Sequence, residues 1–215
     1  MNKVRFWAKY LLGAIGAIAL LSAINTVLEL LYIQNLLETG VDPTGPDSTW
    51  NPVLASIYST FLNAGSAISL GFTITSIGFL LRASQWLKSK TPDAVQWKPG
   101  WAIAAPFVPY AGLFIQYRFL NDLNAGGAND EQTKKRTKFF TLGFVIFTAL
   151  SNSLTAQQIV STLTGSETVT FDEFVNIEVM GVITLVLDIA GFVLGYFAVK
   201  AINAGLEAKA LEVGE

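Results

Sequence analysis

Cysteine and histidine are both absent from this 215-residue chain. Without them there is no disulfide, no thiolate nucleophile, no Cys/His zinc site and no His- or Cys-ligated haem. A Ser-His-Asp triad is excluded as well. The missing cysteine leaves the redox compartment open, since it suits either side of a membrane. Charge is the second scarcity. Asp, Glu, Lys and Arg make up 14% of the residues, against about 25% in soluble domains. Fourteen bases and sixteen acids nearly cancel, so the balance gives no electrostatic basis for binding nucleic acid. Hydrophobic residues account for 52%. The absent charges are absent from long apolar runs, and that pattern belongs to a membrane protein.

Four segments are long enough to cross a bilayer: residues 6–37, 52–87, 139–163 and 177–201, with boundaries good to a few positions. A crossing takes about 20 residues, so the first two overshoot and must tilt or project into water. The opening Lys3–Lys9 stretch with its apolar run has the form of a signal peptide, and Ala17-Ile18-Ala19 resembles a cleavage site. The run continues to Leu31, far past the ~7–15 residues of a signal core. It reads as a retained span.

The basic residues sort by position. Lys3, Arg5 and Lys9 open the first span; Arg82, Lys88, Lys90 and Lys98 follow the second. Arg118, Lys134, Lys135, Arg136 and Lys138 precede the third, and Lys200 and Lys209 close the fourth. The two remaining loops carry only acids: Glu38, Asp42 and Asp47 in one, Glu167, Asp172 and Glu173 in the other. Retention of positive residues in the cytoplasm predicts four crossings with both termini inside. The expected fold class is therefore all-α integral membrane, one domain over residues 1–215.

The same charges decide the reading of Trp101–Leu120, which is apolar and nearly long enough to span. Lys98 precedes it and the Lys134–Lys138 cluster follows, so both flanks belong on one side. Pro106 and Pro109 each remove a backbone donor, and Gly112 loosens the turn beyond them. The segment is expected to dip in and return as a re-entrant loop or to lie along the cytoplasmic interface. The interfacial form is preferred, because a re-entrant loop needs protein cover for its free backbone groups. Residues 121–138 read as a flexible cytoplasmic linker. Trp7, Trp86, Trp97, Trp101, Tyr10 and Tyr117 cluster near the inner boundary and Trp50, Tyr32 and Tyr58 near the outer one, as aromatic belts do.

The stretch from Phe79 to Leu123 carries a family resemblance. Its pieces are Phe79-Leu80-Leu81-Arg82, Trp101-Ala102-Ile103, Pro106-Phe107-Val108-Pro109, Gly112-Leu113-Phe114, Gln116-Tyr117-Arg118 and Asn121-Asp122-Leu123. Together they resemble the bacterial membrane family catalogued as domain of unknown function 4328. Gly112 stands where that family usually has Asn and Phe114 where it has Trp. Gln116 and Arg118 replace the Pro and Gln that flank the tyrosine. The resemblance implies a bacterial inner-membrane protein, assigns no activity, and draws attention to Trp101, Pro106, Pro109, Gly112, Tyr117 and Arg118.

Asp188 is the most unusual residue for chemistry. Twelve positions before Lys200, it lies ~18 Å deep at 1.5 Å per residue, near mid-bilayer. A carboxylate there must be neutral, hydrated or paired. Its helix face reads Gly181, Thr184, Asp188, Gly191, Gly195, a small-residue pattern that packs against another helix. Two readings stand: a proton or cation site, or a protonated acid bonded to Ser, Thr or Asn across a tight crossing. Glu29, on a face with Ser22, Asn25 and Thr26, is the second ion or proton candidate, placed near the outer interface where it can hydrate. Ser66, Ser69, Thr73 and Ser76 form one hydroxyl stripe, and Ser151, Asn152, Thr155 and Gln158 another. They would line a polar path or act as helix-packing glue. Lys134, Lys135, Arg136 and Lys138 set topology and can meet lipid headgroups.

No cofactor or metal is expected. The expected partners are the lipid bilayer and other membrane subunits or a second copy of the chain. The leading expectation is a non-enzymatic protein acting by association; the alternative is a small channel or proton/cation-coupled carrier using Asp188.

Overall fold

The computed structural model describes residues 1–41, 51–108, 111–164 and 171–214, and within them not the side chains of 62, 63, 66, 106, 158–164 and 172. Among the described residues every regular element is helical. Four are long: α1 (Asn2–Thr39), α2 (Pro52–Lys90), α5 (Glu131–Thr164) and α6 (Phe171–Glu212). Between α2 and α5 lie two shorter ones, α3 (Trp101–Ala104) and α4 (Ala111–Gly126), with 3-10 turns at Pro92–Ala94 and Ala105–Phe107.

Local chemistry sets the helix ends. Gly40 closes α1 in the left-handed conformation (φ 68°), and its N–H donates to Leu36 O at 2.8 Å, the usual glycine stop. Asn51 caps α2 by accepting the Val53 N–H at 2.8 Å, with Pro52 in the first turn, where a missing N–H costs nothing. Asp130 caps α5: it accepts from the Thr133 N–H at 2.8 Å and from the Thr133 hydroxyl at 2.9 Å. Those bonds hold its carboxyl below the usual range.

This cap corrects the expected linker. Of residues 121–138 only four fall between helices, since α4 runs to Gly126 and α5 begins at Glu131. The short connection is bonded onto α6: Ala128 N–H donates to Gly205 O and the Asn129 side-chain amide to Ala201 O, each at 2.9 Å. Polar composition signalled a linker; the same polar groups instead serve as caps and bridges.

The long helices form an arc in the order α2, α1, α6, α5. Arg5 donates to Glu207 at 3.1 Å, setting the start of α1 beside the end of α6. One end of the bundle is therefore basic and the other acidic. α4 touches α2, α5 and α6, so it closes the arc at the basic end. Its inward face is deeply buried, with Phe119 and Leu123 fully enclosed and Ile115 and Leu120 nearly so. These side chains belong to the main core with Val4, Leu11, Phe79, Leu87, Ile202 and Leu206. A smaller core of Tyr32, Ile33 and Leu36 fills the acidic end.

Outward faces carry large apolar residues, among them Leu20, Leu30, Ile74, Ile146, Leu150, Ile183 and Val193. Within the most apolar stretch of each long helix only 17–33% of residues are buried by the protein itself. Water would penalise such a surface, whereas hydrocarbon solvates it.

Candidate functional site

The α5–α6 crossing holds the expected small-residue face. A Cβ at Gly191 would sit 3.2 Å from Phe147 Cβ, and one at Gly195 would sit 3.0 Å from the Phe144 ring. Both glycines thus admit α5 close to the α6 backbone. Thr184 is buried and donates to Met180 O at 2.9 Å, within its own helix; Gly181 is half-buried. Asp188 lies on this face, half-buried, with the buried Ser151 of α5 near its carboxyl. One turn nearer the basic end, Phe192 bridges Phe72 of α2 and Phe144 of α5, with ring centroids 5.3 and 6.2 Å away.

Beneath these rings is a cavity of about 20 Å³, lined by Leu11, Ile15, Ser76, Leu80, Gln116 and Gly195 among others. It has room for about one water. Ser76 is the buried member of the α2 hydroxyl stripe. Thr73 is bonded to Ser69 O within the helix at 3.0 Å, and the Ser66 side chain lies outside the described set, as does that of Gln158. In α5, Thr155 donates to Ser151 O at 3.1 Å, while Asn152 is exposed.

Glu29 departs from expectation. It is 6% exposed, buried among protein atoms, and accepts the Tyr58 hydroxyl at 2.9 Å. Tyr58 stacks on Tyr32 at 5.3 Å and 10°. The packing of α1 against α2 brings these residues together; depth near the outer interface, from which hydration is expected, says nothing of a partner on another helix. Tyr32 is buried in the bundle, and Tyr58 packs half-buried against it.

The family-like segment forms a helical hairpin. Trp101 is exposed, Pro106 lies in the 3-10 turn, and Pro109 falls outside the described residues. Gly112 donates its N–H to Val108 O at 2.6 Å and is pressed against the carbonyl of Ala105, where a Cβ would overlap backbone atoms. Gln96 N–H donates to Asp122 at 3.1 Å, tying the two arms at the other end. Burial raises the Asp122 carboxyl above its ordinary range, opposed by that N–H and by nearby Arg118. Arg118 lies over the Phe114 ring at 5.2 Å. With the half-buried Tyr117 it borders an open groove of about 490 Å³ shared with Lys134, Lys135 and Lys138. Arg136 is exposed and does not line it.

Among the described residues, four helices long and apolar enough to cross a membrane, at Asn2–Thr39, Ala67–Lys90, Glu131–Gln157 and Glu173–Glu212, define a polytopic helical membrane protein. Within that class, residues 49–204 match the family model described as Domain of unknown function (DUF4328), and the chain belongs to that family. The match takes in α2 through most of α6 and so includes the hairpin. No curated protein matches the chain, and no solved structure does.

Proposed function

We propose that this protein acts by association within the membrane, as an accessory subunit of a larger complex or a homo-oligomeric scaffold, and not as an enzyme. The observation that carries this reading is Asn152. It lies fourteen residues beyond Lys138, hence ~21 Å along α5 and inside a hydrocarbon core about 30 Å thick. Its amide is exposed and makes no hydrogen bond among the described residues. Such a group costs roughly 1–2 kcal/mol or more in hydrocarbon without a partner and is a common means of joining helices. α5 is also the span least covered by its own protein, at 17%. The sign of the end charges supports both termini being cytoplasmic, the family resemblance implies a bacterial inner-membrane setting, and burial of α4 supports a hairpin that dips into the inner leaflet.

The test is the oligomeric state in native membranes. Cross-linking followed by sizing in mild detergent should yield a discrete assembly of two or more chains, of one kind or several. Asn152→Leu is expected to weaken it about tenfold. A stable monomer with no companion chain would end this reading.

The half-buried Asp188 at the α5–α6 crossing favours a second reading, a proton- or cation-coupled carrier. In reconstituted vesicles a pH-gradient-driven flux would then fall tenfold or more in Asp188→Asn, because the amide cannot exchange a proton. Equal flux in the two proteins removes Asp188 from any such role.

A further inference from the structure

We propose that the groove between α4 and the start of α5 binds the phosphate of an anionic phospholipid headgroup. Two elements that are separate in sequence supply its cations: Arg118 from α4, and Lys134, Lys135 and Lys138 from α5. Asp122 and Glu131 also line it, so two positive charges are left over. The acids are engaged elsewhere or weakly placed. Asp122 accepts the Gln96 N–H and lies near Arg118 without an ion pair to it, and Glu131, whose side chain is 83% exposed, meets Lys134 only at 3.8 Å. Exposed pairs of that kind contribute little. Arg118, Lys135 and Lys138 form no ion pair among the described residues. Three available cations on two walls suit a ligand with several oxyanion oxygens.

Position selects lipid as the source. Lys138 is followed directly by the apolar run of α5, whose Phe139 and Leu142 are exposed. The groove therefore opens where hydrocarbon gives way to water. Tyr117, with Trp97 packed 6.5 Å from Phe114 on the same hairpin, adds side chains suited to that layer. The arginine is held over an aromatic ring, which reduces the order it must gain on binding.

The experiment uses the full chain, delipidated in mild detergent and offered phosphatidylglycerol or phosphatidylcholine at equal mole fraction, with retained lipid counted by native mass spectrometry. Phosphatidylglycerol should be retained in preference. Arg118→Gln with Lys138→Gln should reduce its affinity tenfold or more, given about fivefold per basic residue near a membrane surface. Lys9→Gln with Lys98→Gln removes the same charge away from the groove and should change it less than twofold. Arg118→Lys keeps the charge and most of the binding. If the double variant loses its helical circular dichroism, Lys138→Gln alone decides, with about a fivefold loss expected. Equal retention of the two lipids, or equal loss in the control pair, overturns the site. Displacement of phosphatidylglycerol by excess inorganic phosphate would reassign it to a soluble phosphate and overturn the lipid source.

Discussion

Gly112→Ala will separate the α3–α4 hairpin from the basic end of the bundle. A methyl group at this position meets the carbonyl oxygen and carbon of Ala105. Both are backbone atoms, so no rotamer change relieves the overlap. Ala105 cannot retreat easily either, because it opens the 3-10 turn that Pro106 continues. Alanine would ordinarily gain about 1 kcal/mol over glycine within a helix. Here the overlap should dominate, with a loss of about 3 kcal/mol. Denaturant unfolding in mild detergent measures the loss, and limited proteolysis between residues 95 and 126 locates it. Gly71→Ala is the control: a methyl group there meets nothing within 4 Å, and stability should hold or rise. If both variants unfold together at the wild-type midpoint, the close contact at Gly112 does not exist.

Phe119→Ala is expected to have a similar effect for a different reason. Its ring is fully buried in the main core, and truncating a buried phenylalanine costs about 3–5 kcal/mol. Phe107, on the same hairpin, is 73% exposed, so Phe107→Ala should leave the unfolding midpoint nearly unchanged. The contrast separates a helix built into the bundle from one resting on its surface. A surface helix would tolerate both substitutions about equally.

These two residues mark the point at which sequence reasoning stops. Trp101–Leu120 is recognisably apolar, Pro-broken and flanked by positive charge, and so it is readable as a segment that does not cross. Its burial is not readable that way. Phe119 and Phe114 have the same side chain five residues apart, yet one is enclosed and the other about half exposed. Only the rotation of α4 against α2, α5 and α6 distinguishes them. The linker expectation for residues 121–138 failed on a related point. Asn124, Asn129 and Asp130 look like loop residues, but they bond to Lys134 O, Ala201 O and Thr133 respectively.

Glu29 shows the same limit at the acidic end. Its depth follows from counting residues, and depth alone suggested a hydrated carboxylate. Its partner, Tyr58, is 29 positions away on another helix. Gly191 and Gly195 were more legible, because close packing leaves a regular small-residue spacing that survives in one dimension. No comparable spacing announced the groove, where Arg118 joins a lysine cluster sixteen or more residues further along.

The sequence by itself determined the all-helical class, the four long apolar helices, and the division of the bundle into a basic and an acidic end. A bilayer is a layered solvent, so apolar length and charge sign, both countable along a chain, decide which segments enter it. The tertiary structure alone decided that α4 closes the arc, that Glu29 meets Tyr58, and that Arg118 and Lys138 line one groove. Those pairings depend on how each helix is rotated and how closely its neighbours approach, and side-chain packing between distant segments sets both.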